Sequence, residues 1–480
     1  MNTAKNTLYN MAYRLLSMLL PLVTAPYLSR VVGTDGVGLY GYTWAISYTF
    51  GLIGLLGLEN YGPRAIAQAK DDRAALDRTF SSIWRMQLLV AGLTLLAWCG
   101  YAFFIAGEEK PLALAFTVAS VSCLVNVDWC LMGLDQFRPI ALRNTAAKLL
   151  AAAAVFLFVK GPEDLWIYAF AWSLSTFIGC LSCFASLRGR VRIVRVPWKE
   201  ALRHLKPCAI LSISVIAVSV YRQMDKVMIG ALSDMDQTGL YENAEKIILC
   251  LSGFILAIGT VMLPKISHMT AQGRMDDVRR HIDASMELVM CMVCALGFGL
   301  ASVSAEFAPL FYGDAFAQSG LLMIPLAMTL LPMGFANVIR TQWVLPQKRD
   351  HIFIKSVLTG AGVNVVLNAL LIPGYGAMGA VAATMAAELA VPVVQFAILR
   401  RELPFGRYLK YTATYCAFGA LMALAVRLTG LTGLEGWLLL CLRVLVGGCV
   451  YGALCLLWWR GTKNNRVLSV LRRNQAQADK

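Results

Sequence analysis

Arg222, Asp225 and Lys226 fall inside an apolar run from about Cys208 to Leu232. That run is long enough to cross a bilayer, which takes roughly 20 helical residues. An ionised side chain in mid-span costs at least about 2.5–3.5 kcal/mol, and it is kept only where it faces a bundle interior, a partner or water. Arg222 and Lys226 stand four apart and share one helix face, with Asp225 beside them. An Arg222–Asp225 pair would neutralise itself and leave Lys226 over. A surplus cation inside a membrane is first of all a site for an anion.

The excess is general. Twelve Lys and Arg against six Asp and Glu lie within or at the edge of apolar runs. Some have plain readings: Arg85, Lys355, Arg427 and Arg443 are near enough to run ends to reach headgroups, and Lys246 follows Glu242 by one turn. Arg14, Arg143, Lys148, Arg222, Lys226 and Arg340 remain as candidates for a cationic cavity. Arg offers phosphate a bidentate fork and Lys a compact charge, so pyrophosphate is the matching anion. Asn144, Asn337, Asn364 and Asn368 suit sugar hydroxyls and equally suit joints between helices. Asp128, Asp225 and Glu388 are candidates for ion coupling or for counter-ions to the surplus cations, the second being the more economical. Cys180-x-x-Cys183 and Cys291-x-x-Cys294 lie in apolar runs without a second pair or a nearby histidine, and read as small hydrophobic residues. The four histidines fall in or beside basic loops, which argues against a buried histidine relay. No cofactor or metal is called for, and no Gly-rich phosphate loop is present.

The elements that must position these groups are membrane spans. The chain is 58% hydrophobic and 15% charged, with a mean hydropathy of +0.63, where a soluble protein is nearer half and a quarter. Fourteen runs are legible: 8–32, 37–58, 83–106, 112–134, 139–159, 165–187, 208–232, 239–263, 284–305, 317–343, 352–372, 377–399, 411–429 and 437–459. Connections on one side hold 29 Lys and Arg, and those on the other only Lys110 and Lys160 together with ten acids. The basic side is therefore expected in the cytoplasm, with both termini. A net charge of +15 is explained by topology and anionic headgroups rather than by nucleic acid. Amphipathic segments Arg64–Arg78 and Trp198–Leu205 are expected to lie along the basic interface.

A repeat organises the spans. Ser29-Arg30-Val31-Val32-Gly33 leads into Gly38-Leu39-Tyr40, and Asp225-Lys226-Val227-Met228-Ile229-Gly230 leads into Gly239-Leu240-Tyr241. An even number of spans separates the copies, so the halves are parallel repeats. The expected organisation is an all-α polytopic membrane protein: lobes at 1–200 and 201–405 around a central cationic cavity, an extra helix pair at 406–460, and a basic tail at 461–480.

On these residues the chain resembles the bacterial oligosaccharide (O-antigen or capsule repeat-unit) flippases of the multidrug/oligosaccharidyl-lipid/polysaccharide exporter superfamily. The resemblance rests on Lys5-Asn6-Thr7-Leu8-Tyr9-Asn10, Pro26-Tyr27-Leu28-Ser29-Arg30-Val31-Val32-Gly33 and Gly36-Val37-Gly38-Leu39-Tyr40. Gly57-Leu58-Glu59-Asn60-Tyr61-Gly62 with Arg64, and Asp225 to Gly230, add to it. It extends over about 5–400; the last two spans read as generic apolar helices. It implies two six-helix lobes in alternating access, carrying an undecaprenyl-pyrophosphate-linked oligosaccharide outward across the bacterial plasma membrane. Other polysaccharide-assembly membrane proteins are implied partners, and a monomer suffices because the cavity lies within one chain. A multidrug or cation antiporter of the same superfamily would want an acid-rich cavity, the opposite sign. A membrane polymerase or glycosyltransferase would need a sizeable loop, and the largest on the acidic side, near 306–316, is about ten residues.

Overall fold

The computed structural model describes residues 2–461, with side chains described at 20, 22–136, 140, 144–212, 216, 219 and 222–461. All regular elements among them are helical. Packing divides the chain at Gly239/Leu240 into two units.

The first unit holds α1 (Asn2–Leu55), α2 (Leu58–Ala69), α3 (Arg73–Gly100), α4 (Lys110–Val125) and α5 (Asp128–Gly133). It continues through α6 (Phe137–Phe158), α7 (Leu165–Ser186), α8 (Trp198–Leu202) and α9 (Leu205–Leu232). α1 contains two spans, separated at Gly33, whose φ of 71° with ψ of −174° is open only to glycine. The fourth span is interrupted between α4 and α5, and Gln87 mends the break. Its fully buried amide donates to the Cys123 and Asn126 carbonyls at 2.7 and 2.8 Å and accepts from Trp129 Nε1 at 3.0 Å. Exposed backbone at that depth would cost several kcal/mol per group, so this single side chain makes the interruption tolerable.

The amphipathic segments of the basic side are short helices. α2 is pinned by buried Leu58 and Ile66 against Phe80, Ile83, Met86 and Trp129, each large apolar side chain contributing about 1.5–3 kcal/mol on burial. α8 is held through Arg78, whose guanidinium grips Glu200 at 2.8 Å through two nitrogens, and through Arg85, stacked 4.0 Å over the Trp198 ring. His204 closes this corner. Ser82 donates to the Thr79 carbonyl and so accepts from His204 Nε2 (2.9 Å), which leaves Nδ1 to accept from the Tyr61 hydroxyl at 2.7 Å.

Burial pushes the His204 imidazole below its ordinary value of 6.5, so the fold holds the neutral ring. A group lowered on folding contributes fully above about pH 6.5 and loses its contribution as the pH falls toward the lowered value. Thermal unfolding should therefore drop more between pH 7.5 and 5.5 in the wild type than in His204→Gln, both pH values being chosen to bracket roughly the unperturbed value. Equal drops would show that the ring carries its charge in the fold.

The second unit holds α10 (Met235–Ala271, its first turn belonging to the first unit), α11 (Met275–Tyr312), α12 (Ala317–Met328) and α13 (Leu330–Ile339). A π-helical turn, Arg340–Val344, follows, then α14 (Asp350–Leu399), α15 (Phe405–Leu428) and α16 (Gly436–Gly461). α14 again contains two spans, broken at Gly376 (φ 54°, ψ −133°). α11 is the mast of this unit, packing α12, α13, α15 and α16.

The last two spans are not generic. Arg407 on α15 pairs with Asp283, and Arg443 on α16 pairs with Glu306, which replaces the snorkelling expected for Arg443. Trp459 Nε1 donates to the Tyr415 hydroxyl at 3.0 Å, which donates to Glu287 at 3.3 Å, and the Tyr451 hydroxyl donates to the Cys291 carbonyl at 2.7 Å. The Cys291-x-x-Cys294 pair joins in: Cys291 Sγ lies 3.7 Å from Cys455 Sγ, and Cys294 Sγ 3.8 Å from Cys416 Sγ. All are free thiols. No group of three metal-binding side chains exists among the described residues.

Nine stretches among the described residues are long and apolar enough to cross a membrane, and Asn144–Phe158 is a shorter apolar helix. With both halves of α1, both of α14 and α9, every one of the fourteen expected runs has a helical counterpart. The Lys246–Glu242 pair expected from spacing is present at 3.5 Å. Residues 462–480, most of the expected basic tail, lie outside the described residues. By packing, α9 groups with the first unit; a lobe boundary at 200 concerns which spans move together and stays a proposal.

Candidate functional site

The second half of α1 lies antiparallel to α9 and the turn after it, and the repeat motifs make this contact. A Cβ on Gly38 would lie 1.8 Å from the Met235 carbonyl oxygen, and one on Gly239 2.0 Å from that of Thr34. Each glycine meets the residue four before the other, so the two motifs are related by local two-fold symmetry at this crossing. The Thr34 hydroxyl donates to Asp236, and Asp234 caps α10 by accepting from Gln237 N at 2.7 Å. Burial, reinforced by Asp236, Glu108 and Asp234, holds the Asp35 carboxyl above its ordinary value.

Toward the basic side the same pair of helices continues. Tyr42 fills the space over Gly230, where a Cβ would lie 2.5 Å from its ring. One step further, Lys226 Nζ sits 5.5 Å from the Trp44 ring centroid, within cation–π range. Asp225 and Lys226 are 2% and 3% exposed. Arg222, one turn on, is exposed. The shared face expected for Arg222 and Lys226 is thus divided: span 2 covers the lysine, and the arginine is exposed.

The other candidates are placed as follows. Arg14 and Arg143 lie outside the described side chains. Lys148 is half-buried on α6, and Asp128 opens α5 at the break in the fourth span. Glu59, in the first turn of α2, is the neighbour that sequence reasoning missed. Its carboxyl is raised by partial loss of solvent and by the charge of Asp128, although the residue still reaches the surface. Its only signal was membership of the Gly57–Gly62 motif.

In the second unit, Arg340 opens the π-helical turn with its guanidinium 5.0 Å from the Phe353 ring. Glu388 is half-buried one turn after Thr384, which bonds the Tyr241 hydroxyl at 3.2 Å. The asparagines sit at helix contacts. Asn144 sits tight against Gly179, and Asn337 against Gly259. Asn364 and Asn368 are fully buried and bonded to each other at 3.1 Å. Asn144 and Asn337 are half-buried, whereas Asn364 and Asn368 are closed off from solvent. A separate cavity of about 460 Å³ is almost wholly apolar, lined by Leu331, Phe335, Leu389, Phe396, Phe405 and Leu409 among others.

Helical spans throughout, two long helices each broken at a glycine, and charged side chains held within the spans make an all-helical polytopic membrane protein. The fold is that of the lipid II flippase MurJ in its inward closed conformation: TM-score 0.75 at 17% identity, covering 95% of this chain and 99% of that one. An inward-facing multidrug-resistance MATE transporter of the MOP superfamily gives 0.62 at 12%, covering 85% and 96%. The chain belongs to the polysaccharide biosynthesis protein family, whose model matches residues 3–270. It is 22% identical over 380 residues to a putative O-antigen transporter of Shigella dysenteriae, covering 78% of this chain and 94% of that one. It is 21% identical over 411 residues to a putative O-antigen transporter of Escherichia coli K12, covering 84% and 99%.

Proposed function

We propose that this chain carries an undecaprenyl-pyrophosphate-linked oligosaccharide from the inner to the outer leaflet of the bacterial plasma membrane, by alternating access, for surface-polysaccharide synthesis. The observation that carries the reading is Arg222: a permanent cation, exposed at mid-span, on the helix that repeats the first. Lipid would not tolerate it there, whereas a pyrophosphate in a water-filled cavity would be gripped by it. The apolar cavity beside α15 suits the polyprenyl chain. Both termini lie in the cytoplasm on this reading, and the spans move as lobes at 1–200 and 201–405, with 406–460 fixed to the second through α11. The Gly38–Gly239 crossing closes the acidic side and must part for release.

The membrane potential assists. Two negative charges moving outward across a membrane held at 100 mV, inside negative, run downhill by about 4.6 kcal/mol. Asp128, with Glu59 beside it, and Glu388 supply carboxyls for an accompanying proton. A multidrug or cation antiporter shares the fold at a lower similarity, 0.62 against 0.75, and an exposed mid-span arginine repels its cargo.

Native mass spectrometry of protein gently extracted from its own membrane tests the reading. A co-purifying polyprenyl-pyrophosphate glycan is expected, absent from Arg222→Ala. A cationic dye that raises the melting point, with no glycolipid bound, would put the antiporter first.

A further inference from the structure

We infer that Tyr48, backed by Trp44, is the platform on which the first sugar ring of the cargo stacks, beside the Arg222 that holds its phosphate. This rests on the flippase reading above. The two rings are 5.1 Å apart and 18° from parallel, one turn apart on the second half of α1. Lys226 lies over Trp44.

Register places Tyr48 opposite Arg222. Because α1 and α9 are antiparallel, Gly38 meets Met235, Tyr42 meets Gly230, and Trp44 meets Lys226. The next turn toward the basic side pairs Tyr48 with Arg222. Both are exposed, Tyr48 by 40%. Tyr48 makes no hydrogen bond among the described residues, and it stands roughly 10 Å or more from either end of its half-helix at 1.5 Å per residue. Tyrosines that face lipid collect at the interfaces, where the hydroxyl finds water. At mid-span a lipid-facing phenol would leave that hydroxyl unbonded, and a lipid-facing Arg222 would cost more still. Water satisfies both, and adjacent residues on two packed helices then line the same water-filled wall.

The chemistry of that wall suits a glycosyl pyrophosphate. The C–H face of a pyranose carries partial positive charge and packs on the negative face of an aromatic ring, while the tyrosine hydroxyl remains free for a sugar hydroxyl. In such a lipid the first sugar is bonded directly to the pyrophosphate, so the two subsites must be neighbours, as the helix register makes Arg222 and Tyr48. Trp44 buttresses Tyr48 from behind and is itself held by Lys226, which keeps the platform rigid.

The test titrates the full-length protein in lipid nanodiscs with two probes, undecaprenyl pyrophosphate alone and undecaprenyl pyrophosphate bearing one N-acetylhexosamine, read by native mass spectrometry. Tyr48→Ala is expected to weaken the sugar-bearing probe roughly three- to tenfold and to leave the bare probe unchanged, which also certifies the fold of the variant. Tyr48→Phe should keep most of the discrimination. Equal weakening of both probes by Tyr48→Ala, or of neither, would overturn the platform. Failure of the wild type to bind either probe would instead remove the flippase reading on which it rests.

Discussion

Alanine at Gly38 or at Gly239 should lower the thermal midpoint of the purified protein by several degrees, and the double substitution should cost less than the sum. The Cβ positions lie 1.8 and 2.0 Å from backbone oxygens of the facing segment, and real Cβ atoms essentially never approach within 3.0 Å. Backbone cannot swing aside as a side-chain tip can, so the two segments must part by over an ångström. Overpacking of this kind costs about 1–3 kcal/mol and occasionally more. Once one methyl has parted them, the second finds room already made, hence the shortfall from additivity. Valine should be worse than alanine at both positions. Gly51, with nothing within 4 Å of its Cβ position, is the control: Gly51→Ala should be neutral or slightly stabilising through helix propensity. Additive costs in the double variant would mean that the two motifs do not share one crossing.

Arg222→Ala and Lys226→Ala should both abolish export, but for different reasons. Lys226 is 3% exposed and Asp225 2%, and ions so buried persist only with their partners. Removing one member of a buried ionic set leaves the others uncompensated, at a cost of about 3–5 kcal/mol. Lys226→Ala should therefore yield little folded protein. Arg222 is exposed; its loss should leave insertion, yield and melting point close to wild type while export stops. Size-exclusion recovery after extraction, measured beside repeat-unit export in cells, separates the two. A fully folded Lys226→Ala protein would assign the lysine to the substrate instead of to the fold.

Hydropathy and charge by themselves determined the class. Fourteen apolar runs, a 29-to-2 distribution of cations between the two sets of loops, and ions retained at mid-span follow from the properties of a bilayer, which acts on each segment locally. The Gly-Leu-Tyr repeat was equally legible, because a spacing is a property of the chain. Which residues meet was not. Arg222 and Lys226 share a helix face by periodicity, yet Trp44 covers one and not the other, and no period encodes where a neighbouring helix ends its cover. Likewise Gln87, ordinary in sequence, proves to hold the broken fourth span together. Cys416 and Cys455 face a Cys-x-x-Cys pair more than a hundred residues earlier. Of the asparagines, as apt for sugars as for joints by type alone, Asn364 and Asn368 are fully buried and bonded to each other. Local physics chose the spans. The contact of one span with another, made between residues far apart in the chain, decided which of their polar groups are left open for a substrate.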